Sequence, residues 1–331
     1  MKIVVDMMGG DHGLNTTIPA VKEFVKLHPD AELFLAGDAE SLKKEFTESD
    51  KLHICPSETV LPMDVDPMRA LKDKKSSLMV GVQAYLDNGG EALVSAGSTG
   101  AVLSAAVFKI KRIEGISRPG LVTPMPTGIK GKYCVALDLG ANNANSKEDL
   151  LNFAIMGSIY YSVRFGKENP EVYLLSNGTE EEKGSPLNKE AFPLLKDCKA
   201  INFKGNCEGR DPVYGKVDVL VTDGYSGNVF LKTMEGTAKM MGNLMKKGFK
   251  KNLFTKIGYL FAKSGVAEIK ETMDYKNVGG AMLLGVNGVV LKTHGNSEAK
   301  TFLSTLNNAY DLVSFDLVNK IKKGLKNVQT N

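Results

Sequence analysis

Glycine and small polar side chains follow each of four short apolar runs in this 331-residue sequence. The runs are typical of buried strands, and a glycine-rich loop after a strand leaves backbone N–H groups free to bind an anion. Ordinary strand–helix connections also contain glycine, but four such loops with polar side chains favour a binding site. The loop residues that could contact an anion are Asp11 and His12; Gly97, Ser98, Thr99 and Gly100; Asp138 and Asn142; and Asp223, Gly227 and Asn228.

Helical patterns follow these loops along the chain. The predicted strands before the loops are Lys2–Val5, Leu93–Val94, Cys134–Leu137 and Val217–Val221. The alternation predicts an α/β fold with three layers (α/β/α), in which helices cover a large, mainly parallel, Rossmann-like sheet. Because ligands of such sheets bind beyond the carboxyl ends of the strands, we expect the four loops to gather at one edge. The length allows one domain or two lobes, and we interpret residues 1–331 as a single catalytic domain.

Three further stretches have weaker patterns. Residues 53–68 contain three prolines and several acids and predict an extended loop. Residues 112–128 also contain three prolines and predict a long connection, of a length that is uncommon unless it serves a site or an interface. Residues 299–321 predict one closing amphipathic helix.

Three cations near predicted loops could balance the charge of a bound anion. Lys183 follows three consecutive glutamates, Arg118 lies in the proline-rich connection, and Arg210 lies in a polar stretch after the predicted strand Ala200–Phe203. Each position also fits a side chain that is simply solvated at the surface.

Composition indicates an ordinary globular protein. Apolar residues make up 43% and charged residues 24% of the chain, and a net charge of +4 is too small to indicate nucleic-acid binding. The four cysteines have neither C-x-x-C spacing nor matching histidines, so we expect buried free thiols and no metal site. A catalytic cysteine remains an alternative. We find no G-x-G-x-x-G fingerprint and no cluster of aspartates, which disfavours a dehydrogenase, and we expect no cofactor.

The apolar segments are too short or too interrupted for export or membrane insertion. The amino-terminal run is shorter than a signal peptide, and the longest uncharged run, residues 92–108, is interrupted by Gly97–Gly100. We therefore expect a cytoplasmic location.

Residues 232–263 predict a basic amphipathic helical hairpin with a bend at residues 248–252. This segment has eight lysines and one acid, Glu235, and its large apolar residues recur at helical spacing. Such a hairpin could lie on an anionic membrane, bind an acidic protein or form a dimer interface, and a core-packed helix with a solvated lysine face is the alternative. The residues expected to contact a membrane or a carrier protein are Lys246, Lys247, Lys250, Lys251, Leu253, Phe254, Ile257, Leu260 and Phe261.

The motifs DMMGGD, SAGSTGA, LDLGAN, EEEKG, GNCEGRD, VTDGYSGNVFLKTMEG and GGAMLLGVNGVV occur in this order. With them the chain, from Met1 to about residue 320, resembles the bacterial phosphate acyltransferase (PlsX) family. The resemblance implies a fold similar to phosphate acetyltransferases and isocitrate-type dehydrogenases, and a dimer that associates peripherally with the membrane. It also implies that a fatty acyl thioester of acyl carrier protein and inorganic phosphate become an acyl phosphate for phospholipid synthesis. The sequence departs from the family pattern at Met7, Ser98 and Cys207, which leaves the individual role of Ser98 open.

The resemblance gives the loop residues expected roles. Phosphate is itself the nucleophile, so positioning and charge stabilisation replace attack by an enzyme side chain. Lys183 is the first candidate for the cation that offsets the phosphate charge, with Arg118 or Arg210 behind it. Asn228 could donate to the oxyanion on the thioester carbonyl. His12 could orient phosphate or relay a proton, with helix capping as the alternative, and Asp138, Asn142 and Asp223 are expected to hold the loops.

Two other functions remain open at this stage. A phosphotransacylase that uses short acyl groups on coenzyme A shares the fold and the chemistry, and a non-catalytic membrane-surface scaffold for lipid enzymes shares the basic hairpin. The expected partners are acyl carrier protein, phosphate, a membrane surface, a downstream glycerol-3-phosphate acyltransferase and a second copy of the chain.

Overall fold

A computed structural model describes residues 1–272 and 278–329. The strands are β1 (Lys2–Asp6), β2 (Glu32–Gly37), β3 (Leu52–Pro56), β4 (Ala92–Ser95), β5 (Gly120–Pro126), β6 (Tyr133–Leu137), β7 (Glu171–Ser176), β8 (Asn202–Glu208), β9 (Val219–Val221), β10 (Ala281–Leu284) and β11 (Val289–Lys292). The helices are α1 (Leu14–Leu27), α2 (Ala39–Glu45), α3 (Pro67–Ala70), α4 (Ser77–Asn88), α5 (Thr99–Ala105, continued by a π-helical turn, Ala106–Ile110), α6 (Lys147–Phe165), α7 (Pro186–Asp197), α8 (Gly224–Phe249), α9 (Leu253–Thr272), α10 (Ala299–Ser314) and α11 (Leu317–Gln329).

The described strands form one sheet in the order β3-β2-β1-β4-β11-β10-β5-β6-β9-β7-β8. Neighbouring strands are parallel from β3 to β11 and again from β6 to β8. The three pairs between these groups, β11–β10, β10–β5 and β5–β6, are antiparallel. Three reversals make the two parallel groups run in opposite directions, so their carboxyl ends lie at opposite edges. The expectation that all four glycine-rich loops gather at one edge is therefore wrong.

Helices cover both faces of this sheet, and the predicted three-layer α/β fold is confirmed. On one face α1, α6, α7, α10 and α11 pack over a core that includes Phe24, Phe153 and Phe302. Side chains alternate along each strand, so Ile3 and Val5 point to this face and Val4 points to the other. There α4 and α5 cover the first parallel group, and the first turns of α8 pack on the second.

Two of the predicted loops contain strands. β3 (Leu52–Pro56) overlaps the start of residues 53–68, and the central strand β5 lies within residues 112–128. Prolines are rare in central strands because they lack a ladder N–H, which is why β5 escaped the sequence analysis. Pro124 and Pro126 fit because β10 pairs only with Gly120–Val122, and the proline-containing half of β5 pairs with β6 alone.

The carboxyl-terminal segment forms two helices instead of the single one predicted. α10 ends at Ser314, and Asp316 has a φ of 55°, a left-handed conformation that stops the helix. α11 then packs on α6 through Leu317, Ile321 and Leu325.

The helices α8 and α9 form the protruding hairpin of the predicted fold. Their bounds extend beyond residues 232–263 on both sides, and the bend lies between Phe249 and Leu253. Most side chains of the hairpin beyond residue 236 are exposed, including Phe254 at 84% and Phe261 at 85%. Among the described residues, no helix combines the length and the hydropathy that crossing a bilayer requires.

Candidate functional site

A buried carboxylate holds the loops that follow β1 and β4. Asp6, at the end of β1, is 1% exposed, and its oxygens accept hydrogen bonds from Ser77 Oγ and Ser95 Oγ, each at 2.6 Å. Its Oδ1 also accepts from the backbone N–H of Gly9 at 3.2 Å. Burial raises the pKa of Asp6, although these hydrogen bonds oppose the rise. Asp6 is not among the predicted site residues, although an aspartate directly after an apolar strand was an available signal.

The loops after β1, β4 and β11 form one cluster, which we call the first loop group (residues 7–13, 96–100 and 293–298). The backbone N–H of Asp11 donates to the carbonyl of Gly295 at 2.8 Å, and Gly97 lies against Gly9. The predicted site residues Asp11 and His12 have exposed side chains here, whereas Ser98 is 6% exposed and Thr99 is partly buried. Gly100 lies against the Pro67 ring, where a Cβ would be 2.8 Å from Cγ. Asp11, His12 and Gly97–Gly100 are thus brought together.

A second buried carboxylate, Asp138, organises the loop after β6. Its Oδ1 accepts from the backbone N–H groups of Leu121, Gly140 and Ala141, and its Oδ2 accepts from both the backbone and the side-chain nitrogen of Asn142, all at 2.7–3.0 Å. Burial raises the pKa of Asp138 against the effect of these donors. Because the side chain is fully buried and both oxygens are occupied, Asp138 has no room for a ligand and holds the loop.

The start of α8 packs closely on the Asp138 loop. Asp223 is the N-cap of α8 and accepts from the N–H of Ser226. A Cβ on Gly224 would lie 2.1 Å from the Asn142 carbonyl oxygen, and a Cβ on Gly227 would lie 1.9 Å from that of Asp138, so only glycine fits at either position. The next residue, Asn228, is exposed beside Gly140.

These residues belong to a second loop group, formed by the loops after β6, β9, β7 and β8 (residues 138–146, 222–228, 177–185 and 209–211). β7 is the parallel neighbour of β9, so the loop that contains Lys183 follows the strand next to Asn228. Lys183 is exposed, lies against Gly178 and makes no ion pair with a described carboxylate. Arg118 is exposed next to Pro119, whose carbonyl accepts from Asn142 Nδ2 at 2.8 Å. Arg210 follows β8 and pairs with Glu208.

The helix α8 connects the two loop groups. It begins in the second group at Gly224, and the charges of its residues Lys232 and Glu235 act on Lys292, at the end of β11 directly before the first group. From residue 223 to residue 232 an α-helix rises about 14 Å, which sets the distance between the groups along α8. Lys292 is not among the predicted site residues, and the available signal was a lysine directly after the apolar run VVL.

Three of the four cysteines are not poised for nucleophilic attack. Burial raises the pKa of Cys55 and Cys134, and it raises the pKa of Cys207 to about 12. A thiol with a raised pKa stays protonated at neutral pH, whereas nucleophilic cysteines need a thiolate. Within the two described ranges, no three His, Cys, Asp or Glu side chains cluster in a way that could hold a metal ion.

Comparison with known proteins relates the whole chain to one family. Residues 1–320 match the family model described as fatty acid synthesis protein. A phosphate acyltransferase from an Exiguobacterium species (strain AT1b) is 42% identical over 326 residues, which cover 98% of each chain. One from Thermosipho africanus is 42% identical over 324 residues, again with 98% of each chain covered. Among solved structures, a phosphotransacetylase from Streptococcus pyogenes has the same fold, with a TM-score of 0.57, 18% identity, and coverage of 98% of this chain and 94% of that one.

Proposed function

The chain belongs to the fatty acid synthesis protein family with the phosphate acyltransferases, and from this we propose that it makes acyl phosphate from a fatty acyl thioester of acyl carrier protein and inorganic phosphate. It is an acyltransferase, and its product supplies phospholipid synthesis. The observation that supports this function most directly is the arrangement of two glycine-rich loop groups along α8, because backbone N–H groups in such loops suit a phosphate and a developing oxyanion.

In the proposed reaction a phosphate oxygen attacks the thioester carbonyl carbon directly. A bond forms between the carbonyl carbon and an oxygen of phosphate, and the carbon–sulfur bond breaks. The sulfur leaves as a thiolate and takes up a proton. The raised pKa values of the buried cysteines support a route without a covalent enzyme intermediate. Asn228, exposed at the start of α8, donates to the oxyanion, and Lys183 on the neighbouring loop offsets the phosphate charge.

The remaining site residues have supporting roles in this proposal. Ser98, Thr99 and Gly100 present backbone N–H groups, His12 orients phosphate, and Arg118 is a further cation near the second loop group. The N–H of Gly97 already donates to Ser95 Oγ at 2.9 Å, and that of Gly227 donates to the Asp223 carbonyl at 2.9 Å, so these two glycines serve the close packing of the loops. Asp138, Asn142 and Asp223 hold the loops through the hydrogen bonds described above. Arg210 is the weakest candidate, because its guanidinium already pairs with Glu208.

The acyl transfer can be tested by measuring thiol release from a long-chain acyl carrier protein thioester, with and without phosphate, while hydroxylamine traps the product as a hydroxamate. Thiol release that requires phosphate and yields hydroxamate is expected. Activity with short-chain coenzyme A esters alone would favour the phosphotransacylase function. That alternative is worth testing because the chain has the fold of a phosphotransacetylase. No phosphate dependence in a folded protein would favour the scaffold.

We propose further that the hairpin places this enzyme on the cytoplasmic face of an anionic membrane, where a downstream glycerol-3-phosphate acyltransferase uses the acyl phosphate. Its exposed apolar residues include Leu253 at 70%, Phe254 at 84%, Leu260 at 71% and Phe261 at 85%. Lys246, Lys247, Lys250 and Lys251 surround the bend and would attract anionic lipid. Ile257 belongs to the same apolar surface, and a homodimer contact through this surface is the competing use.

Vesicle sedimentation and oligomeric state separate these two uses of the hairpin. The double variant Phe254→Ser, Phe261→Ser should lose binding to anionic vesicles and keep its wild-type mass in light scattering. Dissociation to monomers with unchanged vesicle binding would instead assign the surface to the dimer.

The acidic carrier protein would bind the hairpin lysines or the basic stretch 69–75, so added salt should raise the KM for the thioester.

A further inference from the structure

Lys292 is the last residue of β11 and lies beside the carboxyl end of β4. Along β11, Val289 and Leu291 point to one core, and Val290 points to the core under α4 and α5, so alternation places Lys292 on the α5 face. β11 is parallel to β4, and Lys292 pairs in register with Ser95. Ser95 is the residue whose hydroxyl binds Asp6 and accepts from the N–H of Gly97 at 2.9 Å. Lys292 therefore lies beside the base of the Gly97–Gly100 loop.

The described neighbours of Lys292 supply no carboxylate in contact with its ammonium. Asp11, Lys232 and Glu235 are close enough for their charges to act on Lys292. Glu235 is already engaged, because its Oε2 lies 2.8 Å from Lys232 Nζ. Among the described residues, no carboxylate forms an ion pair with Lys292. A partly buried ammonium without a paired carboxylate is costly, and an anionic ligand would relieve that cost.

We propose that the Lys292 ammonium binds a phosphate oxyanion between the Gly97–Gly100 loop and the third turn of α8. This inference rests on the proposed acyl transfer and adds a cation beside the first loop group to Lys183 in the second. The phosphate group has two possible sources, which are the inorganic phosphate that attacks the thioester and the phosphodiester that links a thioester's pantetheine arm to its carrier.

A bound anion would favour the charged form of Lys292. Burial is the main cause that lowers the pKa of Lys292, and the positive charge of Lys232 lowers it further, while Asp11 and Glu235 raise it. A bound phosphate would add negative charge and hold the ammonium in its protonated form.

The test compares Lys292→Met and Lys292→Arg with the wild type in steady-state kinetics, with each substrate varied in turn. Lys292→Met should raise the KM for inorganic phosphate about tenfold or more, because one charge-assisted hydrogen bond is lost. Lys292→Arg keeps the charge and should recover most of the affinity. Lys43→Met, an exposed lysine of α2, is the matched control and should leave both KM values unchanged. Thermal melting establishes that each variant is folded.

The outcomes decide between the two sources and test the proposal as a whole. A rise confined to the KM for phosphate assigns inorganic phosphate, and a rise confined to the KM for the thioester assigns the carrier's phosphodiester. Unchanged KM values in folded Lys292→Met overturn the proposal.

Calorimetric titration with inorganic phosphate and with coenzyme A, which carries phosphate groups and a pantetheine arm, gives a readout that is independent of turnover. The proposed function fails if the wild type shows no phosphate-dependent thiol release. Even then, an anion site at Lys292 is supported if the wild type gives binding signals with both ligands and Lys292→Met loses them.

Discussion

Asp6 Oδ2 lies 2.6 Å from Ser95 Oγ, and this buried hydrogen bond joins the carboxyl ends of the neighbouring parallel strands β1 and β4. The same hydroxyl accepts from the N–H of Gly97. One serine thus connects the strand ends to the glycine-rich loop of the first loop group. Ser77 donates to the other oxygen of Asp6 from α4.

Ser95→Ala should therefore reduce both stability and activity. The substitution leaves a buried carboxylate oxygen and a buried N–H without partners, which costs about 1–3 kcal/mol for each such group. Ser77→Ala removes one hydrogen bond to the same carboxylate and serves as the matched comparison. Urea unfolding and turnover should show a stability loss in both variants and a larger turnover loss in Ser95→Ala. Equal turnover in the two variants would mean that the Gly97 loop does not depend on Ser95.

Gly227→Ala and Gly236→Ala should have opposite effects on stability, although both glycines lie in α8. A Cβ on Gly227 would meet the Asp138 carbonyl oxygen at 1.9 Å, whereas nothing lies within 4 Å of a Cβ on Gly236. Gly227→Ala must displace α8 from the Asp138 loop and should destabilise the fold by about 1–3 kcal/mol or more. Gly236→Ala should stabilise it by about 1 kcal/mol, because alanine favours a helix interior. Chemical unfolding measures both, and a neutral Gly227→Ala would contradict the close approach.

Lys183→Ala should lower kcat/KM steeply while the fold stays intact. The side chain is exposed and makes no ion pair with a described carboxylate, so its loss costs little stability. If it offsets the phosphate charge, removal of one such contact should lower kcat/KM about 10²-fold. Lys189→Ala, at an exposed lysine in the first turns of α7, is the control. Wild-type turnover in Lys183→Ala would remove this residue from the mechanism.

Lys167→Met should destabilise the protein more at neutral pH than in acid. Asp218 is 2% exposed and lies 2.5 Å from Lys167 Nζ and 2.8 Å from the N–H of Glu171. Burial acts to raise the pKa of Asp218, but the hydrogen bonds and charge of Lys167 outweigh it, and the pKa falls below its usual 3.8. The unfolded state therefore binds more protons, so this stabilisation is present above pH 3.8 and is lost as pH falls through the folded-state value.

The expected size of the Lys167 effect is about 1 kcal/mol at pH 7, since Lys167 is half-exposed and solvent screens its charge. Urea unfolding of the wild type and the variant at pH 7 and in acid measures the difference at each pH. The gap between the two proteins should narrow in acid. A gap that stays constant with pH would mean that Lys167 contributes packing rather than charge.

Local pattern was sufficient for most helices and strands of this chain. The helical hairpin was predictable because lysines and apolar residues recur at helical spacing with a clear bend, and α8 and α9 follow that pattern. β5 was not predictable, because its prolines argue against a central strand unless one knows that β10 pairs with only half of it. α10 and α11 were merged because a left-handed Asp316 leaves no strong mark in the sequence.

The candidate site was likewise predictable from the sequence only in part. The sequence by itself determined which loops are rich in glycine and polar side chains, because those residue types set the backbone geometry and hydrogen bonding of each loop locally. Only the tertiary structure decided which loops meet. The antiparallel strands β10 and β5 reverse the second parallel group, and α8 then extends from that group to Lys292. Lys292 and Glu235 are far apart in sequence, so their proximity depends on strand order and helix packing, which no local spacing encodes.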